Sequence, residues 1–331
     1  MKLATLPRLR LATLPTPLQR ARRLSAALGG PDIWFKRDDL TGFALGGNKV
    51  RKLEFLAAEA VAQGADIIVT GAGAQSNHVR TTVAVARHLG LDCRVVLYGS
   101  RPAQAQGNLL LDELLGAEIV FTNDPDRSRL DRRIAEEGER LRAEGRQPYV
   151  IGRGGASPLG GAGYVACALE LAAQLVDSGL QPDHLVCPVG SCGTLAGLIA
   201  GSGWLRAGYR LHGVTVSRAR AEVLERLQAL ASETAALLDL GLDPVLDPAR
   251  LVVYEDYIGP GYGVPTPEGI EAIRLVAQTE GVFLDPVYSG KAMAGLIDLI
   301  RRGQFGPGET VVFLHSGGWP ALFAHALELG D

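Results

Sequence analysis

The chain has 331 residues, 47% of them hydrophobic, with a mean hydropathy of +0.13 and 33 basic against 36 acidic side chains, for a formal net charge of −3 and a pI near 6.1. So much apolar surface fills a substantial core, which excludes intrinsic disorder, and the interleaved charges of "RRIAEEGERLRAEGR" exclude the basic footprint of a nucleic-acid binder. The length suits two domains or one large α/β unit.

The first 23 residues are broken by Pro7, Pro15 and Pro17 and lack the continuous apolar stretch of a leader. No later window approaches 18 apolar residues without charge, so a cytoplasmic protein with no membrane partner is expected. The segment "ALGGNKVRKLEFL", Ala44 to Leu56, comes next. Only five basic residues are lysines, namely Lys2, Lys36, Lys49, Lys52 and Lys291, which makes Lys49 unusual. Lysine loses its proton when buried or placed at the positive end of a helix, as Schiff-base chemistry requires, and arginine does not. Gly46 and Gly47 permit close backbone approach, Lys49 opens a helix, and Lys52 shares its face with a charge that can reach an anion. Lys36 is expected in an ordinary surface ion pair.

From about residue 65 short β-branched runs alternate with helical patterns. In order they are "ADIIVTG", a helix over 77–88, "CRVVLYG", a helix over 108–115, "AEIVF", a charged helix over 127–144 and "PYVIG". A second series follows, with helix 160–175, "HLVCPVG", helix 194–205, "RLHGVTVS", helices over 218–238 and "LVVYEDY". It ends with helices 266–280 and 290–301, then "TVVFLHSGG" and a last helix. The alternation predicts an α/β protein with two doubly wound parallel sheets, and the nearest thing to a boundary is the glycine cluster Ile151 to Gly163.

Ligands in such sheets sit where strands end in glycine turns that lead into helices. "GAGAQS" fails as a dinucleotide fingerprint, because Ser76 stands at the third glycine position and no acidic residue ends the next strand. Gln75, Ser76 and Asn77 instead place three short polar side chains at a helix N-terminus; one of them could be a plain cap. "PVGSCGTLAG", Pro188 to Gly197, reads as a cup for a monoester phosphate, with Gly190 and Gly193 admitting the anion and Ser191 and Thr194 offering hydroxyls, or else as a small-residue turn. Tyr288 and Ser289 in "FLDPVYSGKAMAGL" are placed between a strand and a helix, where they could enter a site or simply pack and cap. Cys93, Cys167, Cys187 and Cys192 lie in apolar or glycine-rich segments and read as core residues, and the six histidines form no metal motif.

Taken together, "GGNKVRKLEFL", "GAQSNHVR", "GYGVPTPEGIEAI", "LDPVYSGKAMAGL" and "HSGGWPALFAH" resemble the pyridoxal-phosphate enzymes grouped as D-cysteine desulfhydrase and 1-aminocyclopropane-1-carboxylate deaminase, of the tryptophan synthase β fold type (fold type II). The resemblance covers nearly the whole chain. It implies a homodimer whose active site lies between a smaller domain, residues 52–156, and a larger cofactor-binding domain, residues 1–51 plus 157–331. It further implies that Lys49 holds pyridoxal 5′-phosphate and moves the α proton, and that Asn77 bonds the cofactor's 3′-hydroxyl. Ser76, as second catalytic residue, and Gln75 would meet the substrate carboxylate. The segment Gly190, Ser191, Cys192, Gly193 and Thr194 would hold the phosphate, helped by Asn48 and Lys52. Tyr262 and Tyr288 would flank a small amino-acid substrate, and Ser289 would face the pyridine nitrogen.

A hydroxyl at Ser289, where the deaminases are expected to carry glutamate, supports ring-nitrogen protonation less than an ionised carboxylate would. With Ser316 it favours β-elimination from D-cysteine over opening of a cyclopropane ring. Trp319 and Arg153 depart from the desulfhydrase pattern. Arg153 is expected at the surface; if it borders the pocket, it could recognise a sulfonate or second carboxylate, as in L-cysteate. A non-catalytic cofactor carrier is the alternative of another class, and Lys49, Ser76 and both tyrosines speak against it.

Overall fold

The β-branched runs at 67–71, 185–189, 211–215 and 311–314 become strands buried on both faces, as a parallel sheet between helices requires, while those at 118–121 and 148–150 are only partly covered. The computed structural model describes residues 1–244 and 246–329. Strands β1 (Leu18–Arg20) and β2 (Asp32–Lys36) flank helix α1 (Arg22–Leu28), and α2 (Lys49–Ala62) follows a glycine-rich loop. Then come β3 (Ile67–Ala72), α3 (Asn77–His88), β4 (Asp92–Leu97), α4 (Gly107–Leu114), β5 (Glu118–Phe121), α5 (Leu130–Ala143) and β6 (Pro148–Val150). These four strands form one parallel sheet in the order β5-β4-β3-β6.

The chain continues with α6 (Pro158–Ser178), β7 (His184–Val189), α7 (Gly193–Trp204), β8 (Arg210–Thr215), α8 (Arg220–Leu237), β9 (Leu251–Tyr254), α9 (Pro267–Glu280), α10 (Ser289–Arg301) and β10 (Thr310–Leu314). A 3-10 stretch, Trp319–His325, and the short α11 (Ala326–Leu329) end the described residues. The second sheet runs β1-β2-β10-β7-β8-β9, parallel except for the β1/β2 pair, with Val312 opposite Trp34 and Phe313 opposite Val186.

Several expectations change. The amino-terminal β1, α1 and β2 were not anticipated, because "DIWFK" is short and its partner β10 comes from the far end of the chain. No strand precedes Tyr288; residues 281–288 are irregular, and Phe283 is 62% exposed. A single helix spans the region read as several over 218–238. Helix α6 starts two residues earlier than expected because Ser157 caps it, accepting the Gly160 N–H at 3.1 Å, with Pro158 in the first turn.

Lys36 is not on the surface. It is buried and donates to Glu170 at 2.5 Å, Gln174 at 2.7 Å and the Thr16 carbonyl at 2.8 Å. Glu170 also accepts from Arg51, which forks onto Asp38 at 2.8 and 2.9 Å while the Tyr164 hydroxyl donates to Asp38 at 2.6 Å. Buried charges persist only with such mutual satisfaction, and this network fixes α2 against β2 and α6. By length and composition α6 could span a bilayer, but its Glu170 lies in this network and its Gly161 and Gly163 meet α8 and α2 too closely to admit a Cβ. It is packed as a core helix. All four cysteines are buried and free.

Candidate active site

The carboxyl ends of both sheets open onto one cleft that is continuous with solvent. Strand β3 delivers Ser76 and Asn77, β4 delivers Tyr98, β7 delivers Gly190 to Thr194, β8 delivers Ser217 and Arg218, and β10 delivers Ser316. Asn48 and Lys49 enter from the start of α2, and Tyr262 and Tyr288 from loops.

The approach to Lys49 is strained. Ala44, Leu45, Gly46 and Gly47 all have positive φ, at 46°, 66°, 69° and 110°. Arg80 of α3 holds this turn by donating to the Ala44 carbonyl and, at 3.2 Å, to the Gly46 carbonyl. Strain maintained by a buried guanidinium beside a cleft is the kind that functional sites store. Lys49 Nζ then lies 3.4 Å from the Gly154 carbonyl, and Lys52 Nζ lies 3.3 Å from the same oxygen. Burial lowers the Lys49 amine to about 8. Burial, and then the charge on Lys49, push Lys52 well below the lysine range. His78 is held well below its ordinary value by burial and by both lysines, so it is a neutral ring, bonded to Thr70 at 3.0 Å.

Opposite the amine, β7 turns into α7 through Cys192 in a left-handed conformation, φ 72°. The first N–H groups of a helix have no intrahelical acceptor, and here the hydroxyls of Ser191 and Thr194 stand beside them. Asn48 Nδ2 donates to Thr194 Oγ1 at 3.1 Å, joining the two helix starts. A Cβ on Gly190 would lie 3.0 Å from the Tyr288 ring, and one on Gly193 would lie 3.0 Å from both the Ala156 backbone and Lys52 Nζ. The cup is therefore narrow and kept open by glycine, and its donors suit a phosphate monoester, with an easily deprotonated amine nearby for an aldehyde. Burial pushes the Cys192 thiol up to about 11, which leaves it unreactive.

Ser76 caps α3 by accepting the Val79 N–H at 3.3 Å and also lines the cleft. Asn77 lines the cleft, and its Oδ1 accepts from Asn108 at 2.8 Å. Gln75 does not line the cleft: its amide bonds the backbone of Gln106 and Asn108, each at 2.9 Å. The Tyr262 and Tyr288 hydroxyls are 2.6 Å apart, with rings at 69°. Burial raises Tyr262 to about 12 and Tyr288 well beyond the usual phenol value, so both keep their protons at neutral pH.

Ser289 is wholly buried and does not line the cleft. Its hydroxyl donates to Asp285 Oδ1 at 2.7 Å and accepts the Asp285 N–H at 2.8 Å. The same carboxylate accepts the N–H groups of Val287, Tyr288 and Ser289, capping α10. The neutral hydroxyl thus has a charged group directly attached. Trp319 also lies away from the cleft, edge-on to Phe323. Arg153, expected at the surface, lines the cleft, bonded to Asp131 at 2.5 Å and to the Arg127 carbonyl at 3.1 Å.

Sequence reasoning missed Tyr98, Arg127, Gly154, Ser217 and Arg218. Arg127 sits 5.0 Å over the Tyr262 ring and donates to the Ser217 carbonyl at 2.8 Å; Arg218 donates to the Gly190 carbonyl at 3.3 Å. The strand-end rule that found the glycine turns points equally to Tyr98 and Arg218. Nothing local marks Arg127.

Residues 9–317 match a family model described as pyridoxal-phosphate dependent enzyme. The chain is 46% identical to a D-cysteine desulfhydrase of Serratia proteamaculans (strain 568), over 98% of this chain and 97% of that protein. A solved structure described as an ACC deaminase homologue superposes with a TM-score of 0.90 at 41% identity, covering 99% of this chain and 96% of the other. Threonine deaminase isoform 2 of Solanum lycopersicum, in its processed form, superposes at 0.71 with 18% identity over 99% and 85% of the two chains, a likeness of fold alone.

Proposed function

The chain belongs to the pyridoxal-phosphate dependent enzymes, and from that membership we propose that it is a lyase that converts D-cysteine and water into pyruvate, ammonia and hydrogen sulfide. The observation that carries this reading is the Lys49 amine, lowered to about 8, facing a glycine cup built for one phosphate. When bound, pyridoxal phosphate supplies an aldehyde for amine condensation and a conjugated ring that takes up the electron pair released at Cα.

The protein's own groups perform the remaining tasks. Gly190 to Thr194, with Asn48, bind the phosphate, and the Asn77 amide N–H₂ orients the ring. Ser76 and the N–H groups of α3 bind the substrate carboxylate. Lys49 Nζ would remove the α proton; as the Cβ–S bond breaks, the departing sulfide would accept a hydrogen bond from the Tyr288 phenol, which keeps its proton at neutral pH, and water would supply the keto oxygen of pyruvate as ammonia leaves. Tyr262 stabilises that phenol through the 2.6 Å hydroxyl contact. Ser289, bonded to Asp285, lies outside the cleft, and Ser316 lies along the wall. We place the enzyme in the cytoplasm as a homodimer, with light scattering to check the assembly.

D-Cysteine and β-chloro-D-alanine should both yield pyruvate, while 1-aminocyclopropane-1-carboxylate, which has no β leaving group, should yield negligible 2-oxobutyrate. Robust ring opening would sink the reading. The arrival of Arg153 in the cleft favours a second substrate, a β-anionic amino acid such as L-cysteate. Sulfite release from cysteate exceeding sulfide release from D-cysteine would put it first.

A further inference from the structure

Lys291 is a buried lysine that takes part neither in the reaction nor in the charge network of Lys36, Arg51 and Glu170. It is fully buried in the first turn of α10, and its ammonium donates to the carbonyls of Ile258 at 2.6 Å and Gly261 at 3.1 Å rather than to a carboxylate. Those carbonyls belong to the loop between β9 and α9, which has no regular structure, and Gly261 immediately precedes Tyr262. Tyr288 begins the helix that carries Lys291, and its hydroxyl meets that of Tyr262. One helix end therefore holds both tyrosines, the first as its own cap residue and the second through a buried ammonium.

A compact, tetrahedral charge suits two carbonyls converging on one point, whereas a planar guanidinium would not fit there. This accounts for a lysine in a chain whose surface cations are almost all arginine. We propose that Lys291 is a positioning residue, a tethered monovalent cation that holds the Tyr262 loop against Tyr288, in a carbonyl site that a free ammonium or potassium ion can fill when the side chain is removed. The proposal rests on the active-site reading of Tyr262.

The test compares Lys291→Ala, which opens the site, with Lys291→Met, which fills it without charge. Buried carbonyls left without a donor should lower kcat roughly ten- to a hundred-fold in both variants. Ammonium or potassium chloride should restore much of the loss in Lys291→Ala, and tetramethylammonium chloride at equal ionic strength should not. Neither salt should help Lys291→Met or the unaltered enzyme. Chymotrypsin cleavage after Tyr262 should increase in both variants, and ammonium should suppress it only in Lys291→Ala. Wild-type kcat and protease resistance in Lys291→Met would overturn the proposal, as would equal losses in both variants with no response to ammonium. If Lys291→Ala does not fold, Lys291→Met decides through the first of these outcomes. Ammonium-dependent protection without any change in turnover would keep the cation site and remove Tyr262 from the reaction.

Discussion

Lys49 and Lys52 converge on a single carbonyl oxygen, and the burial of both amines makes the cleft sensitive to pH. With its pKa lowered to about 8 by burial, Lys49 is cationic below that value and neutral above it, and only the neutral amine attacks an aldehyde. The rate at which apoprotein takes up pyridoxal phosphate should therefore rise with pH through about 8 and then level off, as followed by visible absorbance. A flat profile between pH 6 and 9 would contradict the assignment of Lys49. Ser289 makes a different point. Glutamate there would set a second carboxylate against the buried Asp285 in a position with no free space, so Ser289→Glu should yield little folded protein, as measured by soluble expression and melting temperature, and should not act as a clean switch of reaction. Lys49 was legible in the sequence because lysine is scarce there. Asp285, which satisfies three N–H groups and one hydroxyl, was not, since its value appears only once the turn has closed around it.

Among the elements, α7 and α2 divide the work of binding. Gly193→Val would push a branched side chain into the Ala156 backbone and the Lys52 amine, each 3.0 Å from where a Cβ would stand, and should weaken cofactor retention by at least about tenfold, an effect of the size one lost charged hydrogen bond has. Dialysis followed by cofactor quantitation reads this directly; full retention would reduce the cup to a packing turn. The network joining α2 to α6 has its own pH signature. Burial raises Glu170, but Arg51 and Lys36 prevail and hold it at about 2, below its usual 4.5. A depressed carboxylate stabilises the fold above its unfolded pKa, and that contribution is lost as pH falls from about 4.5 toward 2. Glu170→Gln should flatten the stability profile in that window in urea titrations, while lowering stability at pH 7. Most strands and helices from β3 onward were readable because they carry their own period, and α3, α6 and α9 also carry a side-chain cap in Ser76, Ser157 and Thr266. The burial of Arg51, Lys36 and Glu54 was not, because charged residues read as solvated until segments distant in sequence supply their partners, Glu170 for Arg51 and Lys36 and Arg8 for Glu54.

For the molecule as a whole, the sequence showed two wound sheets and the strand ends where ligands bind, but not how the sheets share the chain. The smaller sheet is assembled from one continuous run between β3 and β6, whereas β2 pairs with β10 from the opposite end of the sequence. During synthesis, then, the early-made β2 has no lasting neighbour on its β10 side until the final strand leaves the ribosome, while the four strands of the smaller sheet can already pair. Closing so long a loop is slow, and an unpaired apolar edge is exposed to aggregation in the meantime. Pulse-labelled hydrogen exchange during refolding should find amides of β3 and β4 protected before those of β2 and β10. Simultaneous protection would show that the two sheets form as one unit. On this order of events the phosphate cup on β7 is completed only at the end, so a newly made chain would acquire its cofactor as one of its last steps toward the native state.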